Sequence, residues 1–185
     1  MHRKLWEWCA IAQSLDERGV LQAGKQGIGF AVGQEPLASL FAARGVDILA
    51  TDLVELSEDS HWDQTGQHAA SLEAVHWPGL IPTPLYRERV GFRSVDMRDL
   101  TSLSQETYDF AWSSCALEHL GSLDAGLRFA RDAMTLLRPG GIAVHTTEFN
   151  VSSNEETVST GDSVIYRRRD IEELDRSLRR LQCGI

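Results

Sequence analysis

The chain has 185 residues, of which 42% are hydrophobic and 24% charged, which suits one soluble domain with a sizeable core. Its 27 acidic residues exceed its 18 basic ones and give a formal net charge of −9, so a broad phosphate-binding surface for DNA or RNA is not expected. Three scattered cysteines, no signal peptide and no apolar run near the roughly 18 residues of a membrane span predict a cytoplasmic protein without disulfides or a membrane partner.

Hydrophobic spacing predicts an alternation of helices and strands. Apolar residues every three or four positions indicate a helix over residues 3–18, ended by Gly19. Short apolar runs predict strands over residues 27–32, 46–51, 90–95, 108–114 and 142–147. Further helices are predicted over residues 37–44, 123–137 and 170–181, the second of them stopped by the turn Pro139-Gly140-Gly141.

This alternation predicts an α/β fold, a Rossmann-like three-layer sandwich with a mainly parallel sheet, as one domain over residues 1–185. Residues 54–89 break the pattern, because they are polar and aromatic at first and then carry Pro78, Pro82 and Pro84. We interpret them as an irregular insertion with one helix near residues 69–75. The chain stops after its last predicted helix, where a strand is usual, so the last strands of the sheet are expected to be missing.

Polar and glycine residues stand at the carboxyl ends of successive predicted strands, the edge at which open parallel sheets bind ligands. Gly33 lets a ligand approach the backbone, and Asp52 can accept hydrogen bonds from ribose hydroxyls. Asp96 and Met97 suit an adenine amino group and an apolar ring face. The fourth strand ends in two serines, Ser113 and Ser114. Together these residues predict a nucleoside site.

Four segments resemble the class I S-adenosylmethionine-dependent methyltransferases. They are GIGFAVGQEPLASLFAARGVDILATDL (27–53), VDMRDL (95–100), YDFAWSSCALEHL (108–120) and LLRPGGIAVHTTE (136–148). The resemblance covers roughly residues 25–150 and implies the cofactor S-adenosyl-L-methionine.

The resemblance also implies roles for the residues at the strand ends. Asp52, with Leu53 beside it, would hold the ribose, and Asp96 with Met97 would hold the adenine. Gly33 and the serines Ser113 and Ser114 would face the methionine part of the cofactor.

The glycine motif departs from that of the family. Gly29 replaces the family's acidic residue, and Ala31 and Glu35 stand where the family has its first and third glycines. Glu35 is expected to take over the binding of the cofactor's amino group. The family's sheet has seven strands, whereas five are predicted here.

Methyl transfer to a hydroxyl needs a base, in addition to a geometry that holds the acceptor in line. The candidate bases are Glu118, His119, His145 and Glu148, although the position of His145 in an apolar strand favours a core histidine. Glu118 and His119 are alternatively a pair that closes the pocket wall. In the insertion, expected to shape the acceptor site, Trp62 and His68 are candidate substrate contacts or an ordinary surface loop. No metal is predicted, because the ligand types present lack a metal-site spacing.

The sequence therefore predicts an S-adenosylmethionine-dependent methyltransferase that O-methylates a small molecule or sugar. The alternative is a non-catalytic module of a larger assembly that binds the cofactor or another nucleotide. A nicotinamide-dependent reductase is a weaker third reading, because the complete G-x-G-x-x-G of such enzymes is missing.

Overall fold

Within the part of the chain that the structure describes, the sheet has five parallel strands in the order β3-β2-β1-β4-β5. The computed structural model describes residues 3–53 and 69–184. Its strands are β1 (Gln26–Phe30), β2 (Asp47–Asp52), β3 (Val90–Ser94), β4 (Tyr108–Ser114) and β5 (Leu137–Thr146). The predicted parallel sheet of five strands is confirmed, and each strand lies within a few residues of its expected position, β5 excepted.

Helices cover both faces of this sheet and complete the predicted three-layer sandwich. They are α1 (Arg3–Glu17), α2 (Leu37–Ala43), α3 (Thr83–Arg89), α4 (Leu123–Ala133) and α5 (Arg168–Arg180). Side chains of α1, α2 and α3 share one buried cluster with the β4 residues Phe110 and Trp112. Side chains of α4 share a second cluster with Ile28 and Phe30 of β1, and α5 packs against α4.

The strand β1 contains glycines because aromatic rings of its neighbour lie across it. A Cβ atom on Gly27 would lie 2.4 Å from the ring of Phe110, and one on Gly29 would lie 2.3 Å from the indole of Trp112. Both distances are far inside van der Waals contact, so the rings and the glycines require each other. A larger side chain at position 29, such as an acidic one, would overlap the Trp112 indole.

The strand β5 begins earlier than predicted. The Pro139-Gly140-Gly141 segment was expected to form a turn before the strand, but it lies inside β5, whose range starts at Leu137. The pairing with β4 passes from Tyr108↔Leu137 to Phe110↔Ile142, so the register of the ladder shifts across this segment. The preceding helix is correspondingly shorter and ends in a 3-10 turn, Met134–Leu136.

The helix α3 was not predicted. Pro82 and Pro84 were expected to interrupt regular structure, yet Pro82 caps this helix and Pro84 lies in its first turn. A proline is tolerated there because the first N–H groups of a helix have no intrahelical acceptor. The helix expected near residues 69–75 is a single 3-10 turn, Glu73–Val75. Residues 54–68 of the insertion lie outside the described residues.

In the described part of the chain, no helix is long and apolar enough to cross a membrane.

Candidate functional site

The polar residues predicted to converge do meet at the carboxyl edge of the sheet. The Gly33 N–H, in the turn after β1, donates to Asp52 Oδ2 at 2.9 Å. Asp52 pairs with Ser94, the last residue of β3, and Asp96 follows two residues later. Gly33, Asp52 and Asp96 therefore lie on three adjacent strand ends, as the sequence predicted.

The Asp52 carboxylate faces backbone amides. Its Oδ2 accepts from Gly33 N and from Ala69 N at 3.0 Å, and its Oδ1 accepts from Leu53 N at 2.8 Å. The residue is only 2% exposed. The sequence had indicated a carboxylate open to a ribose, whereas this one holds the β1 turn, the end of β2 and residue 69 together.

Asp96 is more open and is held by one arginine. The Arg98 Nε and Nη2 donate to its carboxylate at 2.7–3.0 Å, and the Arg98 backbone N–H donates to Oδ1. These contacts with Arg98 lower the pKa of Asp96. The neighbouring Met97 is buried and packs with Phe30 and Val95. Asp96 thus offers an ionised, partly exposed carboxylate, with 32% of its side chain exposed, next to the buried apolar Met97.

Glu35 is buried in the turn between β1 and α2. Its Oε1 accepts a hydrogen bond from Trp112 Nε1 at 2.7 Å. Burial raises the pKa of Glu35 to about 8, and the indole hydrogen bond and the charge of Lys4 only partly oppose this. The side chain is therefore largely a neutral acid at pH 7, which differs from the charged partner expected for a cationic amino group.

The helix α1 places two charged side chains over the end of β4, and the sequence analysis did not assign them. Lys4 Nζ donates to the Ser114 carbonyl at 3.0 Å and forms an ion pair with Glu7. Ser114 Oγ donates to Glu7 Oε2 at 3.1 Å. Glu7 is buried. Its position beside the apolar residues Trp8 and Ile11 is the sequence feature that could have predicted an acid facing the core.

Ser113 and His145 form a pair inside the α4 face of the sandwich. The Ser113 hydroxyl lies 2.8 Å from His145 Nδ1, and Phe129 packs edge-on against the imidazole. The ring's Nε2 is buried and has no hydrogen-bond partner among residues 3–53 and 69–184, and burial lowers the pKa of His145 to about 4. This placement favours the core-histidine reading of His145 over a catalytic base.

The other candidate bases follow β4 and β5. Glu118 is 1% exposed, and its Oε2 accepts from Thr147 Oγ1 at 2.8 Å. His119 Nδ1 lies 2.8 Å from the Asp162 carbonyl oxygen. Glu148 is half-buried beyond the end of β5. The candidate substrate contacts, Trp62 and His68, lie outside the described residues.

A family model for a methyltransferase domain matches residues 28–145, more than half of the chain. The matched range begins in β1 and ends in β5, so it contains the carboxyl ends of β1, β2, β3 and β4. No curated protein matches the sequence at a significant level.

Solved structures that share the fold include methyltransferases and one cyclase. The 1,6-didemethyltoxoflavin-N1-methyltransferase of Burkholderia thailandensis is 19% identical, with a TM-score of 0.63 over 95% of this chain and 67% of that one. The phosphoethanolamine N-methyltransferase 2 of Haemonchus contortus is 17% identical, with a TM-score of 0.61 over 92% of this chain and 36% of that one. The [4+2]-cyclase SpnF is 21% identical, with a TM-score of 0.61 over 91% and 55%.

The chain spans about half the length, or less, of several of the structures it matches. At identities of 17–21%, the TM-scores of these structures show a shared fold, and the family match covers residues 28–145 of it. The five-stranded order, the glycine turn after β1 and the acidic ends of β2 and β3 agree with this match. The chain belongs to the class I S-adenosylmethionine-dependent methyltransferase family.

Proposed function

We propose that this chain binds S-adenosyl-L-methionine at the carboxyl edge of its sheet and directs the methyl group to a hydroxyl of a small molecule or sugar. The convergence of Gly33, Asp52 and Asp96 on three adjacent strand ends, inside the matched methyltransferase domain, is the observation that carries the proposal. The bound cofactor supplies a methyl group on a sulfonium, which an acceptor oxygen takes by in-line displacement.

The described residues fit a nucleoside at this edge. Gly33 has a φ of 51° and no side chain, so a ligand can approach the turn closely. Asp52, held by the N–H groups of Gly33, Leu53 and Ala69 at the end of β2, would present its carboxylate to the ribose hydroxyls. Asp96 would accept a hydrogen bond from the adenine amino group. The face of the adenine ring would lie against the apolar side chain of Met97.

The methionine end of the cofactor would lie toward β4. The ionisable side chains near the β4 end and the glycine turn include Glu35, Glu7 and Lys4. A cationic amino group close to Glu35 would favour its ionised form and so would lower its pKa from about 8. Cofactor binding would then release a proton from Glu35 at neutral pH.

His119 is the base that we assign to deprotonation of the acceptor hydroxyl. A carbonyl oxygen can only accept, so the Asp162 carbonyl fixes the proton of the neutral imidazole on Nδ1. The lone pair is then on Nε2, which is the atom that can take a proton. Glu118 and Glu148 lie in the same region and remain the alternative bases, whereas the ring of His145 is enclosed in the core.

A methyl-transfer assay tests this function. Labelled S-adenosylmethionine is incubated with the protein and a panel of phenols, polyols and sugars, with amines of matched size as controls for O-selectivity. We expect turnover with a hydroxyl acceptor, and His119→Gln should lower kcat by roughly 10²–10⁴-fold while leaving cofactor affinity unchanged. Transfer only to amines, or full activity of His119→Gln, would contradict the O-directed mechanism.

The second candidate function is a module that binds the cofactor without turnover. The near-complete burial of Asp52 favours it, as do Ala31 and Glu35 at glycine positions of the family motif. The fold of SpnF, a [4+2]-cyclase, also shows that this architecture is not confined to methyl transfer. Binding by calorimetry, combined with no transfer to any acceptor in the panel, would favour the module.

A further inference from the structure

Three metal-ligand side chains meet where β4 and β5 end. Cys115 follows β4 directly, Glu118 lies in the next 3-10 turn (Leu117–His119), and Glu148 follows β5. One ligand atom from each residue lies within 4.8 Å of the other two. Two adjacent strand ends thus place a sulfur and two carboxylates around one point.

Glu118 gives this cluster a second feature that points to a ligand. The residue is 1% exposed, and Thr147 Oγ1 satisfies its Oε2. Its Oε1 is buried and has no hydrogen-bond partner within the described residues. A carboxylate oxygen in this position is costly unless a donor or a cation compensates it, because burial removes its hydration.

The charges around the cluster have the sign that attracts a cation. Glu7 and Glu118 act on the Cys115 sulfur as negative neighbours, and Lys4 opposes them. Lys4 itself is engaged by Glu7 and by the Ser114 carbonyl. Cys115 and Glu148 are half-buried rather than enclosed, so an ion can reach the cluster from solvent.

We propose that Cys115, Glu118 and Glu148 bind one divalent transition-metal ion of the zinc type. A thiolate selects Zn²⁺ or Co²⁺ over Mg²⁺ and Ca²⁺, and carboxylates complete a mixed sulfur–oxygen set. On binding, the Cys115 thiol loses its proton to solvent and a metal–sulfur bond forms, with no change in oxidation state. Three protein ligands leave one tetrahedral position for water or another oxygen ligand.

This inference differs from the sequence analysis, which predicted no metal. His119, His145 and Glu148 are also of metal-ligand type, but the His145 ring lies inside the core, away from the other two. Cys115 and Glu118 have no recognisable metal-site spacing with Glu148, which is thirty residues or more away in the chain. Only the pairing of β4 with β5 makes them neighbours.

Cobalt provides a direct test that does not depend on methyl transfer. Metal-free full-length protein is titrated with Co²⁺, and we expect a near-ultraviolet thiolate-to-cobalt charge-transfer band that saturates at one equivalent and is abolished by Zn²⁺. Cys115→Ser should remove the band, and Glu118→Gln should weaken binding at least about tenfold. Circular dichroism and thermal unfolding in chelator check that each variant is folded.

The other two cysteines supply the matched controls. Cys9→Ser and Cys183→Ser change cysteines outside the cluster, so both should keep the band at wild-type affinity. A wild-type protein without the band, or a band that survives Cys115→Ser, would overturn the proposal. Should Glu118→Gln not fold, Glu148→Gln takes its place, and unchanged cobalt affinity of that variant would remove Glu148 from the ligand set.

Discussion

The Trp112 indole lies over Gly29 and donates its Nε1–H to Glu35 Oε1 at 2.7 Å. This contact links two departures from the family's glycine motif. The missing side chain at Gly29 makes space for the indole, and the indole supplies the buried Glu35 with a donor. The two unusual residues therefore belong to one arrangement on the α1–α2 face of β1.

Gly29→Ala should destabilise the protein by about 2 kcal/mol or more, because its Cβ would overlap the Trp112 ring in a close-packed core. Urea unfolding measures the change. Gly79→Ala is the matched control, since no atom lies within 4 Å of the corresponding Cβ position. Combining Gly29→Ala with Trp112→Phe should cost less than the sum of the single changes, and strict additivity would argue against the clash.

The stability of the protein should depend on pH through Glu35. Its pKa is about 8 in the folded chain and 4.5 for a solvated glutamate, so the folded state binds an extra proton between these pH values. The stabilisation is complete below pH 4.5 and is lost as pH rises through 8, with a slope of up to about 1.4 kcal/mol per pH unit. Glu35→Gln should flatten this slope.

The window from pH 6.5 to 8 gives the cleanest measurement. His145, with its pKa lowered from 6.5 to about 4, acts in the opposite sense, because its stabilisation is present above pH 6.5 and is lost as pH falls toward 4. Urea unfolding of wild type, Glu35→Gln and the exposed control Glu88→Gln across pH 6.5–8 isolates Glu35. Equal slopes for wild type and Glu35→Gln would contradict the assignment.

Asp52→Asn should destabilise the fold by about 3 kcal/mol, as expected when a buried charged acceptor is lost. The amide keeps one oxygen, but its NH₂ group would face one of the N–H donors of Gly33, Leu53 or Ala69. Asp47→Asn, at the exposed start of β2, removes only an ion pair with Arg89 and should cost less than about 1 kcal/mol. Chemical denaturation measures the free energy of unfolding of both variants. A similar loss of stability in each would contradict the structural role assigned to the hydrogen bonds of Asp52.

The strand ends could be predicted from the sequence because the apolar runs fix the strands and parallel strands bring their carboxyl ends together. Gly33, Asp52 and Asp96 are therefore where the sequence analysis expected them. The register shift in β5 was missed, because Pro-Gly-Gly is equally compatible with a turn and with an irregular ladder.

The partners of the buried polar groups could not be predicted. Glu35 and Trp112 are separated by 77 positions, and Ser114 and Glu7 by 107. Such contacts depend on which helix covers which strand end, and local periodicity carries no information about this. The hydrogen bond from Ala69 N to Asp52 is a similar case, since it depends on the path of the insertion.

The most direct test of the account is calorimetric titration of S-adenosylmethionine into wild type, Asp96→Asn and Asp99→Asn. Asp96 is placed at the proposed adenosine edge, whereas Asp99 is an exposed turn residue that bonds Thr101 and serves as the control. We predict binding by wild type and Asp99→Asn, and a loss of about tenfold or more for Asp96→Asn, as for removal of a charged hydrogen bond. Absence of binding by wild type, or equal affinity of Asp96→Asn, would contradict the proposed cofactor site.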